Sequence, residues 1–176
     1  AIKEEFAQMS VTCTAPSKTF NIASMMISNI FILNRELKAK FRAQLDAAGI
    51  SQLNVLGLVA CEAAYAHGEE WYEAMHSYVA DNIAFTKEYV ETQLPGVSMV
   101  DHEGTYLVWL DFRETGLSVD ELEDLIVHRA KLWLDSGRIF GDCGKGFQRV
   151  NVACPRATLQ EALDRIKTAL QESEAQ

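Results

Sequence analysis

The feature that most limits the fold of this chain is a long helical pattern with a firm stop. From Glu69 to Leu94, the residues Trp71, Met75, Tyr78, Val79, Ile83, Phe85, Tyr89, Val90 and Leu94 recur at close to helical spacing. That is one helix with an apolar stripe. Pro95-Gly96 ends it, because proline cannot continue a helix and glycine accepts the turn that follows. Such a stripe needs a surface to pack on, and the downstream sequence supplies one. Val97 to Val100 reads as a short strand, Asp101-His102-Glu103-Gly104 as a turn, and Thr105 to Phe112 as a strand of β-branched and aromatic residues. Ser118 with Glu121 forms a capping-box pattern for a helix over Val119 to Ala130, with Leu122, Leu125 and Ile126 inward. Leu132-Trp133-Leu134 reads as a strand fragment, Gly137 to Gly146 as a loop, and Phe147 to Ala153 as a strand closed by Pro155. Thr158 to Gln171 is a final amphipathic helix on Leu159, Ala162, Ile166, Ala169 and Leu170, and residues 172–176 are a frayed tail. The fold class expected is α/β, with an α+β small domain over 69–176: a small sheet packed with helices.

The first third reads differently. Residues 1–10 are short and mixed, and Met9 to Thr14 favours a strand or strand end. Met25 to Leu33 fits either a buried strand or an apolar helical turn, being too short for periodicity to choose. Asn34 is an N-cap for a helix in which Leu37, Phe41 and Leu45 recur every four residues, ending at Gly49. Ser51 to Ala66, rich in Leu, Val and Ala, predicts a largely buried helix stopped near His67-Gly68.

Composition removes several function classes. The 176 residues carry a net charge of −9, which argues against a nucleic-acid surface, since that needs a basic stripe. No apolar run reaches the roughly 18 residues of a membrane span. Ala1-Ile2-Lys3-Glu4-Glu5 lacks the makeup of a targeting peptide. Cys13, Cys61, Cys143 and Cys154 have no CxxC spacing, so a cytoplasmic protein with reduced thiols is expected. His67, His76, His102 and His128 lack zinc-ligand companions, so no metal site is expected. Cys154 reads as a small buried residue rather than a nucleophile.

Chemistry concentrates in two stretches. In Thr12-Cys13-Thr14-Ala15-Pro16-Ser17-Lys18-Thr19-Phe20-Asn21-Ile22-Ala23, one lysine sits in a turn of small hydroxyl residues and a proline. A lysine amine forms Schiff bases with carbonyl groups, and hydroxyls with turn amides suit a phosphate. Pyridoxal phosphate asks for that combination. In the second stretch, Phe147 to Ala153, alternation puts Arg149, Asn151 and Ala153 on one face and Val150 and Val152 on the other. A guanidinium there needs a partner: a ligand carboxylate, or a local Asp or Glu.

Ser17-Lys18-Thr19-Phe20-Asn21-Ile22-Ala23 resembles the cofactor-lysine segment of pyridoxal-phosphate enzymes of the aspartate-aminotransferase fold. It is most similar to the branch of cystathionine β-lyase-like C–S lyases. The strand ending in Cys154-Pro155-Arg156 resembles that branch as well, Glu103 to Asp111 resembles the first long strand of its small domain, and Asp135 to Gly141 its turn near the substrate. The resemblance implies that Lys18 carries the cofactor, with Thr14 and Ser17 toward its phosphate. It implies that Arg149 grips the substrate α-carboxylate, with Arg156 as runner-up or as a structural arginine beside it. It assigns 1–68 to a remnant of the large cofactor-binding domain and 69–176 to the small domain, and it implies an amino-acid substrate. The activity implied is β-elimination from cystathionine or cysteine S-conjugates. Transamination uses the same residues, and a non-catalytic binding or assembly module is the alternative of another class.

Three positions depart from the family pattern: Ala15 replaces a common serine, Met26 a common phosphate-binding arginine, and Ser24 a common glycine. Family members are much longer, with the ring-stacking aromatic residue and the aspartate on the pyridine nitrogen ahead of residue 1. The 176 residues alone are therefore expected to be inactive and to bind the cofactor weakly or not at all. Apolar surface around Met25 to Leu33 and Val55 to Val59 is expected to lack cover, favouring a homodimer.

Overall fold

The computed structural model describes residues 3–50 and 52–174. They form two compact units, one ending at Ala74 and one beginning at Met75.

The N-terminal unit holds α1 (Glu4–Met9), β1 (Thr12–Thr14), β2 (Asn29–Phe31), α2 (Arg35–Ala47), α3 (Val55–His67) and the first turns of α4 (Glu69–Gln93). β1 and β2 pair antiparallel, with Thr12 opposite Phe31 and Thr14 opposite Asn29. α1 lies in a stretch whose sequence carried no clear pattern. The run Met25 to Leu33 resolves as a strand at β2, preceded by a 3₁₀ turn over Ala23–Met25. That strand is exposed rather than buried. α2 starts as its cap predicts: Asn34 Oδ1 accepts the Leu37 N–H at 3.0 Å. It ends where Gly49 turns the chain at φ +69°, a conformation glycine adopts without steric cost.

α3 corrects an expectation. Ser51 lies outside the described residues, and the helix is not largely buried; of its described residues only Gly57 is covered. The apolar side chains run round every side of α3, while its close packing is one-sided, against the turn before β2. A Cβ on Gly57 would lie 2.7 Å from the Met25 carbonyl oxygen. Val55, Leu56, Leu58 and Val59 stay exposed, as do Met26, Phe31 and Leu33, matching the uncovered surface expected.

The C-terminal unit holds the rest of α4 with β3 (Ser98–Met99), β4 (Leu107–Asp111), α5 (Val119–Asp124), β5 (Asp135–Ser136), β6 (Phe147–Asn151) and α6 (Arg156–Glu174). The strands form one antiparallel sheet in the order β3-β4-β6-β5. Its period-2 alternation is clean. Val108, Leu110, Gln148 and Val150 are buried, while Leu107, Trp109, Asp111, Phe147 and Arg149 are half-buried on the opposite face. The inner face joins one core with Val90 of α4, Leu94 just after it, Leu122 of α5 and Leu159, Leu163 and Ile166 of α6.

Local signals explain most of these boundaries. Ser118 Oγ accepts the Glu121 N–H, and Glu121 Oε2 accepts the Ser118 N–H at 2.8 Å, the reciprocal cap the sequence predicts. The helix then widens to a π turn over Leu125–Arg129, which a continuous α-helix from Val119 to Ala130 did not anticipate. Leu125 and Ile126 remain buried. Leu132-Trp133-Leu134 is not a strand. Lys131 has left-handed φ of +56°, Trp133 is 91% exposed, and pairing begins at Asp135, opposite Arg149. Residues 172–174, expected in a frayed tail, continue α6, and residues 175–176 of that tail lie outside the described residues.

One polar residue ties this unit together. Asn82 on α4 is fully buried. Its Nδ2 donates to the carbonyls of Val152 at 2.7 Å and Cys154 at 2.9 Å, and its Oδ1 accepts from Arg156 Nε at 2.8 Å. A buried amide costs free energy unless it is fully bonded, and here it fastens the segment between β6 and α6 to α4.

Candidate functional site: the lysine turn and the arginine strand

Lys18 stands in a braced turn of the N-terminal unit. After Thr14 ends β1, Pro16 is buried and opens a single tight coil. The Phe20 N–H donates to the Pro16 carbonyl at 2.9 Å, and the Ile22 N–H to the Ser17 carbonyl at 3.1 Å. Proline suits the opening position because its missing N–H would have no partner there. Asn21 closes the coil at φ +54°, a region asparagine tolerates better than most residues.

Phe20, two residues beyond Lys18, anchors the coil. Its ring meets Tyr65 edge-on at 5.7 Å and stacks on Trp71 at 6.2 Å. Gly68 leaves room for it, since a Cβ there would fall 2.6 Å from Phe20 Cε1. The turn is thus held from one side while Lys18 is exposed on the other. Lys18 Nζ and the hydroxyls of Thr14 and Ser17 have no hydrogen-bond partner among the described residues. Thr14, Ser17 and Lys18 therefore share one short segment with their polar groups uncommitted. In sequence Phe20 is one residue of the lysine motif; its anchoring role depends on residues some 45 positions away.

Arg149 lies in the C-terminal unit. It stands on the outer sheet face as alternation predicts, with Val150 and Val152 on the buried side. It has a partner within the chain. Nε and Nη2 both donate to Asp135 Oδ2, at 3.1 Å and 2.8 Å. Phe140 lies under the guanidinium, its ring centroid 4.6 Å from Cζ, a distance at which the cation is attracted to the ring face. Phe140 in turn meets Trp109 edge-on at 5.1 Å, and Trp109 is the residue opposite Arg149 across β4 and β6. Asp135 and Phe140 lie in the turn that the resemblance sets near the substrate and Trp109 in the first long strand of the small domain; no local signal pairs them with Arg149.

Arg156 is engaged elsewhere. Its Nε is held by Asn82, its backbone N–H donates to the Tyr78 hydroxyl at 2.8 Å, and its guanidinium lies 4.4 Å from the Phe85 ring centroid. Burial pushes the Cys154 thiol pKa up, which disfavours the thiolate a nucleophile needs. Beside the arginine strand, Asp111 takes the Arg113 guanidinium through both carboxylate oxygens. Those bonds, outweighing partial burial, hold its carboxyl below the usual carboxylate range. Among the described residues no cluster of His, Cys, Asp or Glu could hold a metal ion, and no helix is long and apolar enough to cross a membrane.

The cystathionine β-lyase PatB of Bacillus subtilis is 42% identical over 170 residues, which are 97% of this chain and 44% of that protein. Cystalysin of Treponema denticola, solved with its pyridoxal 5'-phosphate cofactor, superimposes with a TM-score of 0.93 at 38% identity, covering 97% of this chain and 43% of that one. Nearly the whole chain is thus similar to C–S lyases of the pyridoxal-phosphate-dependent aminotransferase fold. It corresponds to the C-terminal part of that fold and spans less than half the length of the curated relatives it matches. Among the curated relatives, aminotransferases match less of it: the aromatic-amino-acid aminotransferase 2 of Thermococcus litoralis is 32% identical over 77 residues, 44% of this chain and 20% of that protein. No family model matches the chain. The small sheet covered by helices is the architecture the sequence predicts for this branch.

Proposed function

We propose that the protein carrying this chain is a pyridoxal-phosphate-dependent β-lyase that cleaves cystathionine or a related cysteine S-conjugate, releasing pyruvate, ammonia and a thiol. The observation that carries this reading is Lys18 presented without a competing partner from a turn braced by Phe20. The donor set fits the cofactor: one primary amine for its aldehyde, and the unengaged hydroxyls of Thr14 and Ser17 for its phosphate. When bound, the cofactor supplies the electron sink that lets an α-proton and then a β-thiolate leave an amino acid.

The chain's own residues have three tasks. Lys18 would hold the cofactor, and its free amine would move the substrate α-proton as general base. Thr14 and Ser17 would offer their hydroxyls to its phosphate. Arg149 takes the substrate α-carboxylate, which fixes the orientation of the bond to be broken. Arg156 is a structural residue in this reading, because Asn82 and Tyr78 already hold it in place. Residues 1–68 belong to the large cofactor-binding domain and 69–176 to the small domain. The protein is a cytoplasmic homodimer acting on a small amino acid, its exposed apolar residues on β2 and α3 covered in the assembly.

Among the curated relatives, similarity to lyases over nearly the whole chain, against aminotransferases over less than half of it, favours elimination over amino transfer. Incubating the whole protein with cystathionine and pyridoxal phosphate, without added 2-oxo acid, tests this. Steady pyruvate release is expected. Amino transfer to an added 2-oxo acid with no pyruvate release from cystathionine would replace the lyase reading by the aminotransferase one.

A further inference from the structure

We propose that Asp135 is a positioning residue that holds Arg149 so that one edge of its guanidinium stays open for a ligand carboxylate. The proposal rests on Arg149 being the carboxylate-binding residue and adds the group that aims it.

The backbone brings the pair together. Asp135 on the edge strand β5 is directly opposite Arg149 on β6, and opposed residues of an antiparallel pair project to the same face. A guanidinium offers two edges on which a carboxylate can form paired hydrogen bonds: the side edge of Nε and one Nη, and the end edge of the two Nη atoms. Asp135 takes the side edge, since Nε and Nη2 both converge on its Oδ2. Phe140 takes one face. Nη1 makes no hydrogen bond to any described residue, and Nη2 keeps a second N–H, so the end edge is free. With one edge and one face occupied, the plane of the guanidinium is fixed. An incoming carboxylate then forms two parallel bonds without first having to order a long side chain.

Asp135 can do this because β5 is itself tied down. The next residue, Ser136, donates from its hydroxyl to Glu123 Oε1, which also accepts from the buried Gln148 Nε2 at 2.9 Å. Behind it, Gly137 packs so closely on Gly144 that a Cβ would fall 2.0 Å from the Gly144 carbonyl oxygen. The short edge strand is thus fastened on both sides of its two-residue ladder.

The opposite role is that Asp135 competes for Arg149 and a substrate carboxylate must expel it. The two roles differ in sign. Asp135→Ala removes both the brace and the negative charge, whereas Asp135→Asn removes the charge and keeps an oxygen acceptor. Binding of propanoate, with propanamide as its neutral isostere, is measured by titration calorimetry on the whole protein. With a positioning role, Asp135→Ala weakens propanoate about tenfold while Asp135→Asn stays within about threefold of the parent, and propanamide is unaffected by either. Unchanged or tighter propanoate binding in Asp135→Ala overturns the proposal. Arg149→Ala is the separate control. If it leaves propanoate binding unchanged, the carboxylate assignment of Arg149 itself fails; if it abolishes binding while Asp135→Ala does nothing, only the positioning role fails. Asp135 is half-buried on an edge strand, and a thermal melt of each variant establishes that the fold is retained.

Discussion

Asn82→Ala removes three hydrogen bonds at once and gives the sharpest test of how the C-terminal unit is held. The carbonyl of Val152, a fully buried residue, loses the donor now 2.7 Å away, and the less buried Cys154 carbonyl loses one at 2.9 Å. An unsatisfied buried carbonyl costs about 1–3 kcal/mol, with the lower end fitting Cys154. Arg156 loses its acceptor at 2.8 Å, but its half-buried guanidinium retains the Phe85 ring and can take water. Loss of a side chain from a fully packed position adds a small void. The total is about 3–5 kcal/mol, corresponding to a melting temperature lowered by about 8–15 °C in a chain of this size. Urea unfolding followed by circular dichroism reads the same quantity as a lower midpoint with an unchanged slope. Asn82→Asp should be at least as damaging at neutral pH, since it turns an oxygen toward both carbonyls. A loss below about 1 kcal/mol for Asn82→Ala would mean that other donors satisfy these carbonyls and that Asn82 does not hold the unit together.

Two further substitutions probe other parts of the fold. Gly57→Ala raises intrinsic helix propensity by about 1 kcal/mol, yet its Cβ would meet the Met25 backbone oxygen at 2.7 Å. It should therefore destabilise by about 1–2 kcal/mol on balance, with a raised thermal midpoint as the contrary result. Asp111, whose folded pKa lies below its unfolded one through its bonds to Arg113, contributes stability that is full above the unfolded value near ~3.9. That contribution fades as pH falls through the folded value. Asp111→Asn should therefore be less stable than the parent at pH 7, with the gap closing under acid conditions below about pH 4. A gap independent of pH in urea titrations would contradict it.

How much of this could be read from sequence followed the range of the interactions. The caps at Asn34 and at Ser118 with Glu121, and the stop at Pro95-Gly96, are local, and each falls where its residues placed it. Alternation along β6 put Arg149 outward because that rule needs only the strand itself. What escaped depends on partners far along the chain. Nothing near Asn82 announces that it will bond a strand end 70 residues later. Apolar composition alone could not tell a buried α3 from an exposed one, because burial depends on what covers the helix. The start of β5 moved from Leu132 to Asp135 because Lys131 adopts a left-handed backbone, which its side chain does not signal. Lys18 was conspicuous through its neighbours Pro16 and Ser17, whereas the ring that braces its turn, Phe20 against Tyr65 and Trp71, became visible only in three dimensions.

The proposed chemistry stands on Lys18 as the cofactor-bearing residue of a pyridoxal-phosphate enzyme. The most direct measurement is borohydride reduction of the whole protein after incubation with pyridoxal phosphate, followed by peptide mapping by mass spectrometry. One stoichiometric pyridoxyl group on Lys18 is expected, absent from Lys18→Ala. Label on another lysine, or none on Lys18 in protein that retains its fold, would contradict it.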